Sequence, residues 1–372
     1  MTYKPVDEAL LDDPQRLAAA DPGGMLRAVA TSGPQLREAI QLTTEAGVGD
    51  PSGGVPPRAA VLVTDGPVAA LGDLLWALAG PDAPAPVVTL SGQPLPLWVG
   101  PADVLLVVSQ TGTDDSTLTT VEMAVRRGVP MLGVGPPGTP LAEAVASRGR
   151  SPYVGLPLRG PSRALFWSLA TPVLIGAAHA GLIRLTDIDL RAAADALDVA
   201  AERCRPGSET FVNAGKALGL ELAGSGPAVV WGSTPLAGVA ARRLAVQLAG
   251  NAGRVAVWGT LPAAAREAGG VLDVPLSAMD DFFRDRVAES ALPRPRLVLL
   301  RDDLAEDDLS RRYVELARRR AADGGIGVSE LIAEGEEPLE RLASVLALAD
   351  FASVYCGLAA GVDPAGVRLG EG

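Results

Sequence analysis

The feature that most constrains the fold is a pattern that occurs twice along the 372 residues: short, uninterrupted apolar runs separated by helical stretches. In the first half the runs lie at 59–64, 86–90, 103–109, 130–135 and 153–157. In the second half they lie at 227–232, 254–259, 270–276 and 295–302. Continuous apolar strands alternating with helices are typical of a parallel sheet covered on both faces. The sequence therefore predicts an α/β protein with two subdomains, each a parallel sheet of about five strands flanked by helices.

The chain divides into three segments on this pattern. We expect an N-terminal helical extension over 1–50, a first subdomain over 51–185 and a second subdomain with a C-terminal helix over 186–372. The apolar stretch 164–183 is long enough to span a membrane, but it contains Pro172 and His179 and has arginines on both sides. Because the chain has no second such stretch, we interpret it as a buried or dimer-interface helix.

The scarcity of some residue types excludes several functions. The chain has one histidine, His179, two lysines and two cysteines, with a net charge of −12. A zinc site or a histidine-based catalytic triad lacks the residues it needs, so we expect no metal and no cofactor. The negative charge argues against a nucleic-acid partner. The acidic N-terminus lacks the apolar core of a targeting signal, so a cytoplasmic protein is expected. A core or interface position is the favoured interpretation of His179.

The places to look for a ligand are the loops after the strands, because ligands of parallel α/β sheets bind at the carboxyl ends of the strands. These loops lie at 64–68, 109–117 and 231–235. The second of them, SQTGTDDSTL, places several hydroxyl groups at the start of a helix. Backbone N–H groups and the helix dipole at such a position hold a phosphate, whereas a polar turn with a capping residue uses the same residue types. The residues alone leave both interpretations open.

Five segments in order resemble the sugar isomerase (SIS) domain family, and most closely its bifunctional phosphoglucose/phosphomannose isomerases. VLVTDGPVAALGDLL resembles the glycine-rich first loop of that family, and SQTGTDDSTL resembles its second loop, SYSGNTEETL. GPSRALFWSLATPVL resembles a helix with the motif PRA. VVWGSTPLAGVAARRLAVQLAGNAGR resembles a strand–Gly–helix unit ending in QLNENAK, and VYCGLAAGVDP resembles the C-terminal helix.

The resemblance implies a homodimer that binds hexose phosphates and moves a proton between C1 and C2 through an enediol. No nucleic acid and no membrane partner are expected. The reaction needs a carboxylate base, a ring-opening group and a phosphate anchor. On the positions that match the family, the residues expected to bind the sugar phosphate or a related anion are Ser109, Thr111, Gly112, Thr113, Arg163, Gly66 and Gly232.

The catalytic positions depart from the family pattern. Gly250 stands where the family has the glutamate base, and Arg266 stands where it has the ring-opening histidine. No lysine follows Lys216, although the family has one near its C-terminal end. In the phosphate loops, Pro67-Val68 replaces a Gly-Ser pair and Asp114 replaces a threonine. We therefore expect lost or weakened isomerase activity in a chain that still binds a sugar phosphate.

Two alternatives remain open at this stage. An active isomerase would use displaced acid or base groups, of which Glu267, Asp280 and Asp281 are the candidates, although helix capping is the favoured role of the two aspartates. A non-catalytic interaction subunit would use arginine-rich surfaces such as 311–312 and 318–320, although a solvated helix face paired with neighbouring acidic residues is the favoured explanation of these arginines.

Overall fold

The computed structural model describes residues 6–64, 66–147, 151–273 and 294–366. Divided by its internal contacts, the chain forms two compact units. The first-sheet unit comprises 27–198 with 337–340, and the second-sheet unit comprises 1–26, 199–336 and 341–372. The subdomain boundaries expected at 50/51 and 185/186 stay predictions.

The described helices in chain order are α1 (Glu8–Leu11), α2 (Pro14–Ala20), α3 (Met25–Ala30), α4 (Ser32–Glu45), α5 (Ala70–Ala79), α6 (Asp115–Arg127), α7 (Pro140–Ala146), α8 (Phe166–His179), α9 (Asp187–Arg203), α10 (Ala214–Ala223), α11 (Pro235–Ala252), α12 (Ala263–Ala268), α13 (Asp308–Asp323) and α14 (Pro338–Ala359). Several of them start at a side-chain cap. Asp114 caps α6, Thr139 caps α7 and Thr234 caps α11, each accepting a hydrogen bond from a first-turn N–H group.

The first-sheet unit contains a five-stranded parallel sheet. Its strands are β1 (Ala60–Val63), β2 (Val87–Leu90), β3 (Val104–Val108), β4 (Met131–Gly135) and β5 (Tyr153–Gly155), in the order β2-β1-β3-β4-β5. Every residue of β1, β3 and β4 is buried, because helices cover both faces.

The second-sheet unit repeats this plan with four described strands. They are β6 (Ala228–Gly232), β7 (Ala256–Thr260), β8 (Arg296–Arg301) and β9 (Gly327–Ile332), in the parallel order β7-β6-β8-β9. Two parallel sheets flanked by helices confirm the fold class that the sequence predicted. β9 was not predicted. The prediction of a strand at 270–276 is wrong for the described part of that range, since Gly269–Leu272 forms a 3₁₀ helix.

Two apolar helices bear on the question of a membrane. The stretch 164–183 forms α8, which is largely buried, so the buried-helix interpretation is confirmed. Among the described residues one helix, α14, is long and apolar enough to cross a bilayer, and 89% of its apolar window is buried inside the chain. A core helix has these properties too. The expectation that no second such stretch exists in the chain is wrong, because α14 is one. His179 ends α8 with an exposed side chain, so a core position for it is wrong.

Candidate functional site

The order of the first sheet creates a switch point between β1 and β3. From β1 the chain crosses to β2 on one side, and from β3 it crosses to β4 on the other. The register pairs Val63 with Val107, so Thr64 and Ser109 follow neighbouring strand ends at the same edge. A crevice outside this edge is where parallel α/β sheets bind ligands.

A tight turn after β3 brings four of the predicted binding residues together. The Ser109 Oγ accepts a hydrogen bond from the Gly112 N–H at 2.8 Å, and the Thr113 N–H donates to the Thr111 Oγ1 at 3.3 Å. Gly112 has a φ of 70°, and a Cβ there would lie 2.4 Å from the Thr139 Oγ1, so only glycine fits. Ser109 is buried, whereas Thr111 and Thr113 are exposed and present their hydroxyl groups at the surface.

Asp114 occupies the start of α6 with its own negative charge. Its Oδ2 accepts hydrogen bonds from the Ser116 hydroxyl at 2.7 Å and from the Thr117 N–H at 2.8 Å. The Ser116 hydroxyl, followed by the Thr117 N–H, holds the pKa of Asp114 below its usual value. The carboxylate is therefore charged at neutral pH and takes an N–H group that a phosphate at this helix N-terminus would need.

Thr64 is a feature of this edge that sequence reasoning did not single out. Its side chain is 2% exposed, and its Oγ1 has no hydrogen-bond partner among the described residues. A buried hydroxyl without a partner is costly, and native proteins keep few of them. The only sequence signal was its place in the loop that follows β1. In the same loop, Gly66 has a φ of 57° and opens a 3₁₀ turn that ends at the buried Val68.

Arg163 lies in a short turn that is joined to the Ser109 loop. Arg163 belongs to the 3₁₀ turn Ser162–Ala164. The Ser162 carbonyl of this turn accepts a hydrogen bond from the Gln110 Nε2 at 3.3 Å. Arg163 itself is 3% exposed. The structure therefore places the turn that carries this predicted anion-binding arginine beside the hydroxyl-rich loop.

The second sheet has its own switch point, between β6 and β8. Side chains and backbone of the chain itself occupy the space there. Gly232, which ends β6, has no room for a Cβ, which would lie 2.2 Å from the Gly238 backbone nitrogen of α11. Beyond β8, Asp302 accepts from the Arg341 Nε at 2.7 Å and from the Thr234 Oγ1 at 3.4 Å. Its own N–H donates to the Ser233 Oγ at 3.0 Å.

A second carboxylate, that of Glu306, lies in the same region. It is 4% exposed and pairs with the Arg301 guanidinium, whose Nε donates at 2.8 Å and whose Nη2 donates at 2.5 Å. Burial by itself raises the pKa of Glu306, but the bonds from Arg301 and Ser233 outweigh it and lower that pKa below its usual value. This switch point therefore holds internal, already paired anions.

The family's catalytic positions also lie in the second-sheet unit. Gly250 lies in α11, and Arg266 and Glu267 lie in α12. The Arg266 guanidinium lies over the Tyr313 ring at 5.4 Å, and its Nε donates to the Tyr313 Oη at 3.0 Å. Asp280 and Asp281 lie outside the described residues. No cluster of three or more metal-ligating side chains occurs within the described ranges.

The fold, with two parallel α/β sheets flanked by helices, is the one that the SIS resemblance implies, and comparison with known proteins agrees. Residues 211–369 match the family model of the bacterial phospho-glucose isomerase C-terminal SIS domain. This match, which spans less than half of the chain, confirms the resemblance. No curated protein has a matching sequence.

Solved structures share the fold over nearly the whole chain. A hypothetical protein of Thermus thermophilus is 14% identical, with 96% of this chain and 91% of that chain covered and a TM-score of 0.69. The tagatose-6-phosphate ketose/aldose isomerase of Escherichia coli is 15% identical, with 99% of each chain covered and a TM-score of 0.62. A glucose-6-phosphate isomerase of Chlamydia trachomatis is 12% identical, with 88% of this chain and 69% of that chain covered and a TM-score of 0.62.

Proposed function

We propose that the chain binds a sugar phosphate through its first-sheet unit and that its aldose–ketose isomerase activity is lost or severely weakened. Similar folds act on sugar phosphates, as the names of the Escherichia coli and Chlamydia trachomatis proteins state. The observation that carries the proposal is Gly250, a glycine at the position of the family's catalytic carboxylate. Binding and catalysis have separate requirements, and the chain retains more of the first than of the second.

The binding half rests on the β1–β3 edge. Thr111 and Thr113 are exposed and carry hydroxyl groups, and Thr64 offers a buried hydroxyl that has no partner in the part of the chain that the structure describes. Hydroxyl and backbone N–H groups are the ordinary donors to phosphate and sugar oxygens. Arg163, in the adjoining turn, supplies a positive charge in the same neighbourhood. Asp114 opposes a dianionic ligand, so we expect weaker binding than in a site with a neutral residue there.

The catalytic half lacks its base. Forming an enediol requires a group that takes the proton from carbon, and Gly250 has no side chain to do so. The neighbouring buried side chains are amides and are committed to α14. The Gln247 Nε2 donates to the Asp350 Oδ1 at 3.3 Å, and the Asn251 Nδ2 donates to the Ser353 Oγ at 2.9 Å. Asp350 itself is 2% exposed and accepts from the Arg243 Nε and Nη2, both at 2.8 Å, so it is closed to substrate.

The ring-opening group and the lysine are missing as well. Arginine stays protonated at neutral pH, so Arg266 cannot give and take a proton as the family's histidine does. Lys216 is committed elsewhere, since its Nζ donates to the carbonyl oxygens of Leu11, Pro206 and Ser208 at 2.5, 2.8 and 2.6 Å. Its side chain is 1% exposed.

A ligand panel with a parallel turnover assay tests the proposal. We expect fructose 6-phosphate, glucose 6-phosphate or mannose 6-phosphate to raise the unfolding midpoint with concentration, because a ligand that binds only the folded state stabilises it. Fructose, which lacks the phosphate, is the matched control and should raise it less. No conversion is expected in the coupled assay. An unfolding midpoint that no sugar phosphate changes would support an interaction subunit instead. Robust conversion of a sugar phosphate would support catalysis by displaced groups such as Glu267.

Restoring the family's residues at positions 250 and 266 tests the proposed loss of isomerase activity. The double variant Gly250→Glu with Arg266→His is expected to gain measurable isomerase activity. The matched control is Gly250→Gln with Arg266→His, which has a side chain of similar size but no carboxylate. Equal activity in both double variants would contradict the role that the proposal gives to position 250.

The proposal includes a homodimer in the cytoplasm, as in the family that the sequence resembles. Light scattering on a sizing column should give twice the chain mass of 38.0 kDa. A monomeric mass at micromolar concentration would remove this part of the proposal without affecting the ligand.

A further inference from the structure

The strand β7 forms one edge of the second sheet, and within the described ranges β6 is the one strand that pairs with it. The Val255 carbonyl accepts a hydrogen bond from β6 at 3.1 Å, and the Leu261 N–H donates to β6 at 2.8 Å. Because the main-chain groups of a strand alternate in direction, those of Ala256, Trp258 and Thr260 point away from β6. A further strand added at this edge would form its hydrogen bonds with them.

Apolar side chains are exposed on both faces of the same edge. Val255 is 71% exposed and Val257 is 40% exposed, and these alternate residues share one face. Trp258, on the other face, is 43% exposed, and the Arg242 guanidinium of α11 lies 5.5 Å from its ring. Val246, one turn further along α11, is 41% exposed. We call these four apolar residues, Val246, Val255, Val257 and Trp258, the β7 patch.

The opposite edge of the sheet differs in charge. Edge strands normally carry a charged residue or a proline, which keeps them from pairing with another chain. β9 carries Glu330, which accepts from the Arg301 Nη1 at 2.9 Å and pairs with Arg318. β7, with the sequence AVWGT, contains neither a charged residue nor a proline. It therefore lacks the features that protect an edge strand from a further strand.

The chemistry of the β7 patch favours a second copy of this chain as its occupant. The chain carries a net charge of −12, so two copies repel each other, and an uncharged patch is where they approach at the lowest cost. A strand is also complementary to itself when it runs antiparallel, because each outward N–H meets a carbonyl of the same strand in the other copy. Such a contact has two-fold symmetry and closes on itself as a dimer.

We propose that β7 pairs antiparallel with β7 of a second copy and joins the two second sheets into one. Trp258 of one copy lies opposite Trp258 of the other, and Ala256 lies opposite Thr260. The four residues of the β7 patch lose their exposed surface to the same residues of the other copy. This assignment rests on the homodimer proposed above and names the surface that forms it.

Hydrogen exchange of the unmodified chain tests the pairing without any substitution. The amides of Ala256, Trp258 and Thr260 are bonded in the dimer and open to water in the monomer. The peptide 254–261, followed by mass spectrometry, should therefore exchange about tenfold more slowly at high micromolar than at nanomolar chain concentration. The peptide 327–332, which covers the charged β9 edge, is the matched control and should exchange equally at both. Exchange of 254–261 that does not depend on concentration would overturn the proposal.

A charge variant tests the same surface by mass. Val257→Lys adds a lysine to the edge, and two such lysines would lie close to each other across the two-fold axis. Light scattering should give the single-chain mass of 38.0 kDa for this variant and twice that mass for the unmodified chain. Phe211→Lys, at an apolar residue that is 82% exposed outside the β7 patch, is the matched control and should stay dimeric.

The outcomes of the mass measurement separate this proposal from the homodimer on which it rests. A dimer that Val257→Lys leaves intact overturns the β7 pairing alone, because the two copies then meet through another surface. An unmodified chain that is monomeric at every concentration overturns both the β7 pairing and the homodimer, and it would assign the edge to a strand of another protein.

Discussion

The switch point of the first sheet and that of the second occupy corresponding places in two similar folds, but different chemistry fills them. At the first, the groups next to the strand ends are hydroxyls, and the buried Thr64 hydroxyl has no partner within the described ranges. At the second, the carboxylates of Asp302 and Glu306 occupy the corresponding region and pair with Arg341 and Arg301. The first edge retains donors that a ligand can use, whereas the second has already used its donors on the chain's own anions.

The difference shows that a parallel sheet with a switch point does not by itself make a ligand site. A phosphate brought to the β6–β8 edge would meet two buried carboxylates, and like charges at short range repel. The same buried pairs hold loops from β8, α13 and α14 together, so their role is structural. The function therefore depends on the groups at each strand end rather than on the fold. Four variants test this contrast, from the largest expected effect to the smallest.

Arg341→Ala should cause the largest loss of stability. It removes the cation from Asp302, whose side chain is 3% exposed, and leaves a buried carboxylate without its partner. Breaking a buried ion pair in this way costs about 3–5 kcal/mol. Denaturant unfolding measures the loss. Arg311→Ala, which breaks the exposed pair with Asp308, is the control and should cost less than about 1 kcal/mol. Equal losses in the two variants would show that the second switch point is not a stabilising cluster.

Acid should weaken the second-sheet unit through Glu306. The bonds from Arg301 and Ser233 outweigh burial and lower the pKa of Glu306 below its unfolded value of 4.5. A lowered carboxylate pKa contributes stability that is fully present above 4.5 and is lost as the pH falls through the folded-state pKa. Unfolding free energies measured from pH 7 to pH 3 should therefore fall below pH 4.5, and they should fall less in Glu306→Gln. An identical acid slope in that variant would contradict this role.

Thr64→Val should separate ligand binding from stability. Valine has nearly the shape of threonine and removes a hydroxyl that has no partner among the residues that the structure describes. The free energy of unfolding should therefore change by less than about 1 kcal/mol. Affinity for fructose 6-phosphate should fall by about tenfold, as expected for one lost hydrogen bond to a phosphate. Thr43→Val is the control, because it removes a buried hydroxyl that already has a partner. The Thr43 Oγ1 donates to the Ala39 carbonyl at 2.6 Å. Unchanged affinity in Thr64→Val would remove Thr64 from the site.

Asp114→Asn should strengthen phosphate binding by a few-fold. Asparagine caps a helix as well as aspartate does, so α6 keeps its start while the negative charge is lost. A charge near a helix N-terminus is worth about 0.3–1 kcal/mol, which sets the size of the gain. Calorimetric titration with fructose 6-phosphate measures it. Asp115→Asn, one residue further along the helix, should give a smaller change, and a larger change there would mean that Asp114 does not face the ligand.

Most of the fold follows from residue patterns within single elements. β1, β3, β4 and β6 are uninterrupted apolar runs, and all four are buried throughout, so periodicity alone locates them. β9 escaped prediction because it forms the edge of its sheet, and its sequence GVSELI is mostly half-buried or exposed. The run after Gly269 was misread as a strand because a short apolar run does not distinguish a strand from a 3₁₀ turn.

Less of the candidate site than of the fold could be predicted from the sequence. The turn from Ser109 to Thr113 was found because its donors and acceptors lie within three residues of each other. Asp302 and Arg341 lie 39 residues apart, so no local pattern joins them. That the Thr64 hydroxyl lacks a partner depends on everything packed around it, which only three-dimensional placement reveals.

The most direct test of binding without isomerisation follows ¹³C-labelled fructose 6-phosphate by NMR in the presence of an equal concentration of the chain. The account predicts shifted or broadened ligand signals that persist for hours, with no signals of glucose 6-phosphate or mannose 6-phosphate. Appearance of either aldose signal at an enzymatic rate, or ligand signals identical to those of the free sugar phosphate, would contradict it.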